Sequence, residues 1–303
     1  MCLIVFAYNV HPSYRLILAA NRDEFYERPS APADFWEDQP QVLAGRDLKE
    51  GGTWLGVTKK GKFAAITNYR DPSAFKSNAL SRGGLVSRFI SGKQNAGNYL
   101  EDISPQADKY NGFNLILGEG SDLFVFSNRG EKQKLKPGIY GLSNHLLNTP
   151  WPKVSRGKKL LKAALDKKGA ELEEALFALL ADRHIPQDNK LPATGIGLEW
   201  ERVLSSIFIT SPGYGTRSST ILLIGKNKKV TALPQDQIKA IVFICLRGNL
   251  VQIITGVLVF GNVTADKPSA RKSIAFKSGR ITIISDGGKF SLLGYAQPRT
   301  AFF

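Results

Sequence analysis

Leu3-Ile4-Val5-Phe6-Ala7-Tyr8, then Asn9-Val10-His11-Pro12-Ser13, then Arg15-Leu16-Ile17-Leu18-Ala19-Ala20-Asn21-Arg22-Asp23-Glu24 open the chain, and their reading decides the fold. The first and third stretches are apolar runs of strand length, and the residues between them are turn formers, so the pair reads as a β-hairpin. Its second strand leaves through a polar exit, Asn21-Arg22-Asp23-Glu24. In an extended chain Asn21 and Asp23 share one face while Arg22 and Glu24 share the other.

Working outward, a segment carrying Pro29, Pro32 and Pro40 reads as a loop. Strands follow at 51–57 and 62–68. A helix over 82–90 can be capped by Ser81, and a helix over 95–110 should break at Pro105. Strands are expected again at 113–117, 123–126 and 139–142. The clearest helices are 152–168, with an apolar stripe of Val154, Leu160, Leu161 and Leu165, and 171–182, with acidic residues in its first turn. Strands at 206–210, 219–224 and 229–233 complete the pattern. Hairpin pairs around central helices, without strict βα alternation, predict an α+β layered fold with mainly antiparallel sheets.

The 303 residues are 43% hydrophobic and 22% charged, which excludes a disordered or fibrous chain. Net charge is +15 and favours acidic partners without choosing among them. It is uneven: nine of the 41 Lys and Arg but only three of the 26 Asp and Glu follow Val230, and the last glutamate is Glu201. Cys2 and Cys245 are the only cysteines, so a disulfide framework and a Cys-rich zinc site are excluded and a reducing compartment, the cytoplasm, is expected. The N-terminal apolar run is too short for a signal peptide core, and the apolar stretch 238–263, interrupted by Arg247, Asn249 and Gln252, reads as buried strands rather than a membrane span.

Cys2 carries the most chemistry. Removal of Met1 would put a thiol and a free α-amine on one residue, with ordinary pKa values of roughly 8.5 and roughly 7.7–8.0, so the amine can act as base for the thiol. A small apolar residue opening a buried strand is the other reading, and position alone leaves both open. Asn144, just past a strand, can donate to an oxyanion or form an Asx turn. Arg217 can bind a carboxylate or phosphate, or sit at a strand entry. The segment 67–72 can line a site or turn the chain. There is no P-loop, GxGxxG, HExxH or GxSxG, and His11, His145 and His184 lack metal-ligand spacing. The basic face of 152–168 reads as solvated, since no aromatic residues interleave it for base stacking.

Met1-Cys2 before an apolar strand, Asn21-Arg22-Asp23-Glu24-Phe25, Gly51-Gly52-Thr53-Trp54-Leu55-Gly56, Thr67-Asn68-Tyr69-Arg70, Tyr110-Asn111-Gly112-Phe113-Asn114-Leu115, Gly141-Leu142-Ser143-Asn144 and Tyr214-Gly215-Thr216-Arg217-Ser218-Ser219-Thr220 occur in this order. The set resembles the NRDE family, whose eukaryotic members form the transport and Golgi organisation protein 2 group, over residues 1–230. The resemblance implies kinship with the N-terminal nucleophile hydrolases and a four-layer αββα sandwich. It implies Cys2 as nucleophile with its amine as base, Arg22 and Asp23 orienting them, Asn144 donating to the oxyanion and Arg217 closing the pocket. Asn21, Asn68 and Trp54, from three of the blocks, are the expected substrate-binding residues.

The implied activity is hydrolysis of a small amide or thioester, with no metal and no resident cofactor. The alternative is a non-catalytic protein of the transport and Golgi organisation type that binds or traffics haem or an acyl ligand. Peripheral membrane contact is left open, and nucleic acid is not expected. Residues 231–303 match nothing in the family pattern and read as a basic extension, for which poor packing is one expectation.

Overall fold

The computed structural model describes residues 3–226 and, beyond them, the backbone of five strands. Two compact units are distinguished, Met1–Gly261 and Asn262–Phe303. The first contains β1 (Leu3–Tyr8), β2 (Tyr14–Phe25), β3 (Ser30–Phe35), β4 (Val42–Asp47), β5 (Leu55–Thr58), β6 (Phe63–Asn68), α1 (Gly83–Ser91), α2 (Ala96–Ile103), β7 (Phe113–Glu119), β8 (Asp122–Ser127), β9 (Gln133–Lys134), β10 (Gly138–Leu142), α3 (Pro152–Ala164), α4 (Gly169–Leu180), α5 (Leu198–Val203), β11 (Tyr214–Gly225), β12 (Ile238–Leu246) and β13 (Leu250–Ile254). The second contains an antiparallel meander of β14 (Ser273–Lys277), β15 (Arg280–Ser285) and β16 (Gly288–Leu293).

The strands of the first unit form a six-stranded sheet in the order β10-β1-β2-β11-β12-β13 and a seven-stranded sheet running β3 to β9 in sequence order. Every pairing is antiparallel. Three apolar clusters set the layers. Ile4, Phe6 and Leu18 from one sheet meet Val57, Ala65 and Ile116 from the other. Leu3, Val5, Ile17 and Ile221 pack outward on Val154, Leu161 and Leu176 of α3 and α4, and Ala64, Leu115 and Leu117 pack outward on Leu85, Phe89 and Leu100 of α1 and α2. The result is the expected αββα sandwich. It also explains the unbroken apolar run of β1, since a strand covered on both faces needs apolar residues at every position.

Several local expectations are corrected. The proline-bearing segment is only in part a loop: Pro29 and Pro40 lie in connections, but Pro32 sits in β3, at the sheet edge, with a register shift between Ala31 and Asp34 around it, where a missing N–H is tolerated. Ser81 does not cap α1, whose N-cap position is Arg82 with no side-chain cap. The expected strand at 206–210 is absent apart from a single bridge at Thr210, because Phe208 N–H bonds to the Asp182 carbonyl and Ile209 N–H to Thr216 Oγ1. The 95–110 helix breaks as expected into α2, capped by the Asn95 side chain, and a 3-10 turn from Ser104 to Lys109. The expected strand at 229–233 lies outside the described residues. The expected domain boundary at 230 lies there too, between β11 and β12.

Candidate active site

The six-stranded sheet fixes what meets at its open end. Ile4 pairs with Leu142 of β10 on one side and with Ala20 of β2 on the other, and Ala20 pairs with Thr220 of β11. Two residues further toward the same end of the sheet are Asn144, Arg22 and Ser218, with Arg22 and Ser218 directly paired. Cys2 itself lies outside the described residues. Its covalent neighbour Leu3 pairs with Asn21.

The pleat divides the 21–24 exit into two groups. Asn21 is fully buried and faces the helices: its Nδ2 donates to the carbonyls of Leu180 and Ile207, both at 2.8 Å, and its Oδ1 accepts from Ser219 Oγ at 2.7 Å. Asp23 shares that face and accepts from Thr216 Oγ1 at 2.6 Å. Arg22 points between the sheets. It is 4% exposed, with its guanidinium 4.1 Å from the Trp54 ring centroid and 3.9 Å from Glu24 Oε2. Burial, more than any neighbouring charge, lowers its pKa from the ordinary arginine value. Arg22 Nη1 and Ser218 Oγ are buried without a hydrogen-bond partner among the described residues.

A register shift between Thr216 and Ser218 marks a bulge at Arg217. Without it, 216 and 218 would lie on one face; with it, Thr216 bonds Asp23 on the helical side while Ser218 sits beside Arg22 on the inter-sheet side. Arg217 donates from Nη1 to the carbonyls of Phe25 (2.7 Å) and Arg28 (3.1 Å), so it ties down the turn that follows β2.

Arg22, Trp54 and Asn68 line one cleft of about 320 Å³, together with Glu24, Arg28 and Arg82. Asn21, Asp23, Asn144 and Arg217 are not among its lining residues. The Gly51-Gly52-Thr53-Trp54 block shapes the cleft wall through two close approaches. A Cβ on Gly52 would sit 2.5 Å from the carbonyl carbon of Gly83, where α1 begins, and a Cβ on Gly45 would sit 2.4 Å from the Trp54 ring. Arg28 pairs with Asp47 at 2.7 Å, and Arg82 donates to the Gly112 carbonyl at 3.0 Å.

Asn144 is held by the 67–72 segment, which therefore does more than turn the chain. Its Nδ2 donates to the Asn68 carbonyl at 3.1 Å, and its own carbonyl accepts from Arg70 N–H at 2.7 Å. Arg70 forms a buried ion pair with Glu201 at 2.8 Å, and Glu201 also accepts from the backbone and hydroxyl of Thr194. Beside it, His145 bonds Tyr69 through Nε2 and Thr149 through Nδ1, both at 2.8 Å. Sequence reasoning missed Ser218, Arg82 and Glu201. A bulge at Arg217 was the signal needed for the first, and nothing local marks Glu201 as Arg70's partner. Among the described residues no three or more His, Cys, Asp or Glu are grouped to hold a metal, and no helix is long and apolar enough to cross a membrane.

A family model described as "Transport and Golgi organisation 2" matches residues 1–236. The chain belongs to that family. Curated relatives agree: the Transport and Golgi organization protein 2 homolog of Bos taurus is 43% identical over 253 residues, covering 76% of this chain and 91% of the relative. The human homolog is 42% identical over 252 residues with the same coverage, and the Drosophila melanogaster protein is 30% identical over 260 residues, covering 76% and 90%. Among solved structures the family member described here is similar to an N-acylethanolamine-hydrolyzing acid amidase ortholog of Caenorhabditis elegans, with TM-score 0.44 and 10% identity over 73% of this chain and 92% of that one. It is also similar to a mutant conjugated bile acid hydrolase of Clostridium perfringens, with TM-score 0.40 and 8% identity over 87% and 100%. The fold assignment rests on the layers and pairings given above.

Proposed function

We propose that the chain is a hydrolase with an N-terminal cysteine nucleophile, acting on a small amide or thioester after removal of Met1. One observation carries the reading: the strand register brings Arg22 of β2, with Ser218 of β11 paired to it, and Asn144 just past β10 to the end of the sheet at which β1 begins. In this reaction the Cys2 amine accepts the thiol proton and the sulfur adds to the substrate carbonyl carbon, moving the carbonyl π electrons onto oxygen. The Asn144 amide donates to that oxyanion, a role whose removal typically costs about 10²–10³ in kcat. The leaving amine or thiolate departs with the proton from the ammonium, leaving a thioester on Cys2. Water, deprotonated by the amine, hydrolyses the thioester and restores the thiol.

Arg22, held over Trp54, orients the nucleophile through its uncommitted Nη1. Asp23 and Asn21 fix the strand from the helical side, Trp54 and Asn68 line the substrate cleft, and Arg217 holds the turn that borders it. A reducing compartment, which we take to be the cytoplasm, keeps the thiol free. The test is covalent labelling and turnover with an amide and thioester panel. Cys2→Ser should lose the label while Cys245→Ser keeps it, and wild type should turn over at least one substrate that Cys2→Ala does not. Retention of Met1 on the mature protein would end the proposal.

A second reading, non-catalytic binding of a haem or acyl ligand in the same cleft, is favoured by Trp54 and the guanidinium groups of Arg22, Arg28 and Arg82 in its lining, which they share with the carboxylates of Glu24, Asp47 and Glu50. No His, Cys or Met is among the described lining residues, so haem there would be held through its carboxylates rather than by iron ligation. Unchanged ligand affinity in Cys2→Ala, with no turnover by wild type, would select this reading.

A further inference from the structure

A second cavity, also of about 320 Å³, opens in the outer helical layer next to α3. Five basic side chains line it: Lys153, Arg156 and Lys159 from α3, and His184 and Lys190 from the segment after α4. No Asp or Glu does. This concave surface differs from the solvated basic face expected from the sequence, because cations from two separate segments converge on one space and one of them, Lys153, is only 3% exposed.

Two of the charges of α3, one of them the lining residue Arg156, are already committed. Lys158 donates to Asn148 Oδ1 at 2.8 Å, and Arg156 pairs with Asp182 at 2.7 Å. Lys159 and Lys190 are exposed and form no ion pair among the described residues. Within α3 there is no acidic residue at all to offset its five Lys and Arg. Hydroxyls of Ser155 and Ser205 add donors, with Ser205 bonded to the Arg202 carbonyl at 2.6 Å, and Pro152, Pro186 and Ile207 supply an apolar wall.

We propose that this cavity binds a phosphate ester, distinct from whatever occupies the sheet-edge cleft. Several point-charge donors from different directions suit a dianion with three terminal oxygens better than a single carboxylate, and lysine is well matched to phosphate as a point charge. The apolar wall provides room for the organic part of the ester. The phosphate can belong to a soluble metabolite or to a lipid headgroup, since the chemistry recognised is the same.

The test uses the full-length chain at low salt. Glycerol phosphate and inorganic pyrophosphate are titrated calorimetrically, and sedimentation is followed with phosphatidylcholine vesicles with and without phosphatidic acid. Wild type should bind at least one probe, more weakly as salt rises. Lys159→Gln/Lys190→Gln should weaken that binding about tenfold or more, as expected for loss of two charge-assisted contacts. Lys162→Gln removes an exposed charge of the same helix outside the cavity and should leave the affinity close to wild type, as should Cys2→Ala. Binding confined to phosphatidic acid vesicles and lost in the double variant identifies a headgroup site; binding of the soluble probes identifies a metabolite site. No binding of any probe, unchanged binding in the double variant, or an equal loss in Lys162→Gln overturns the proposal.

Discussion

The β1–β2 hairpin has two ends built on different principles. At the turn end one polar side chain, His11, is buried and accepts from the backbone of Ser13 and Tyr14, and the others reach outward with their tips: Tyr8 donates to the Ser121 carbonyl and Arg15 to that of Gly120. At the open end polar side chains are sunk into the sandwich, with Asn21, Arg22, Asp23, Asn144 and Ser218 all buried. Burying polar groups is costly unless each finds a partner, and apolar residues would pack these positions at no such cost. The open end is therefore shaped by something other than stability. Within it the two faces of β2 differ again: Asn21 has a full set of partners, while Arg22 keeps Nη1 uncommitted.

The largest effect should come from cutting the support behind Asn144. Glu201→Gln removes the carboxylate charge from the buried Arg70 ion pair, a loss of about 3–5 kcal/mol, read by urea unfolding. A loss below about 1 kcal/mol, the range of exposed pairs, would mean that the pair is in effect solvated and does not hold Asn144.

The two faces of β2 are separated next. Asn21→Ala strands two buried carbonyls and the Ser219 hydroxyl and should cost about 2–4 kcal/mol. Arg22→Met removes a buried charge whose Nη1 is uncommitted and should cost less than about 1 kcal/mol, while abolishing turnover or cleft binding. Equal destabilisation by the two substitutions would erase the distinction between a structural and a functional face.

At the turn end, Tyr8→Phe should cost about 1 kcal/mol, the net worth of one hydrogen bond, with kcat and KM unchanged. A fall in activity there would break the contrast between the ends.

The smallest effect concerns pH. Burial holds His145 below the usual histidine range. An unfolded histidine takes its proton near pH 6.5, so as pH falls below that value the unfolded chain binds more protons than the folded one. The stability due to neutral His145 is thus complete above about pH 6.5 and is lost as pH falls through the folded value. The thermal midpoint of wild type should drop between about pH 7 and about pH 5, and the drop should be shallower in His145→Gln. His11, lowered first by burial and then by Lys226 and Lys168, adds in the same direction. Parallel curves for wild type and variant would show that His145 contributes nothing to the slope.

Much of this was legible in the chain itself. The apolar runs of β1 and β2, the alternation that separates Asn21 and Asp23 from Arg22 and Glu24, the break at Pro105 and the two outer helices α3 and α4 all follow from local periodicity and turn chemistry. These are properties of residues within a few positions of one another. The edge strand β3 was hidden because prolines signal loops, and only its place at the sheet margin makes them tolerable. The strand expected at 206–210 failed because its backbone groups bond to Asp182 and Thr216, partners that no local pattern names.

What only the tertiary structure decided is which distant segments share an edge. Asn144 and Ser218 join Arg22 because β10 pairs with β1 and β11 with β2, pairings that sequence periodicity does not encode. A single extra residue at Arg217 then turns Ser218 to the inter-sheet side and Thr216 to Asp23, reversing what simple alternation would give. The sequence by itself determined the kinds of element and the chemistry available at their ends, because both depend on near neighbours. The selection of partners, and hence of the candidate site, depended on burial and register summed over the whole sandwich.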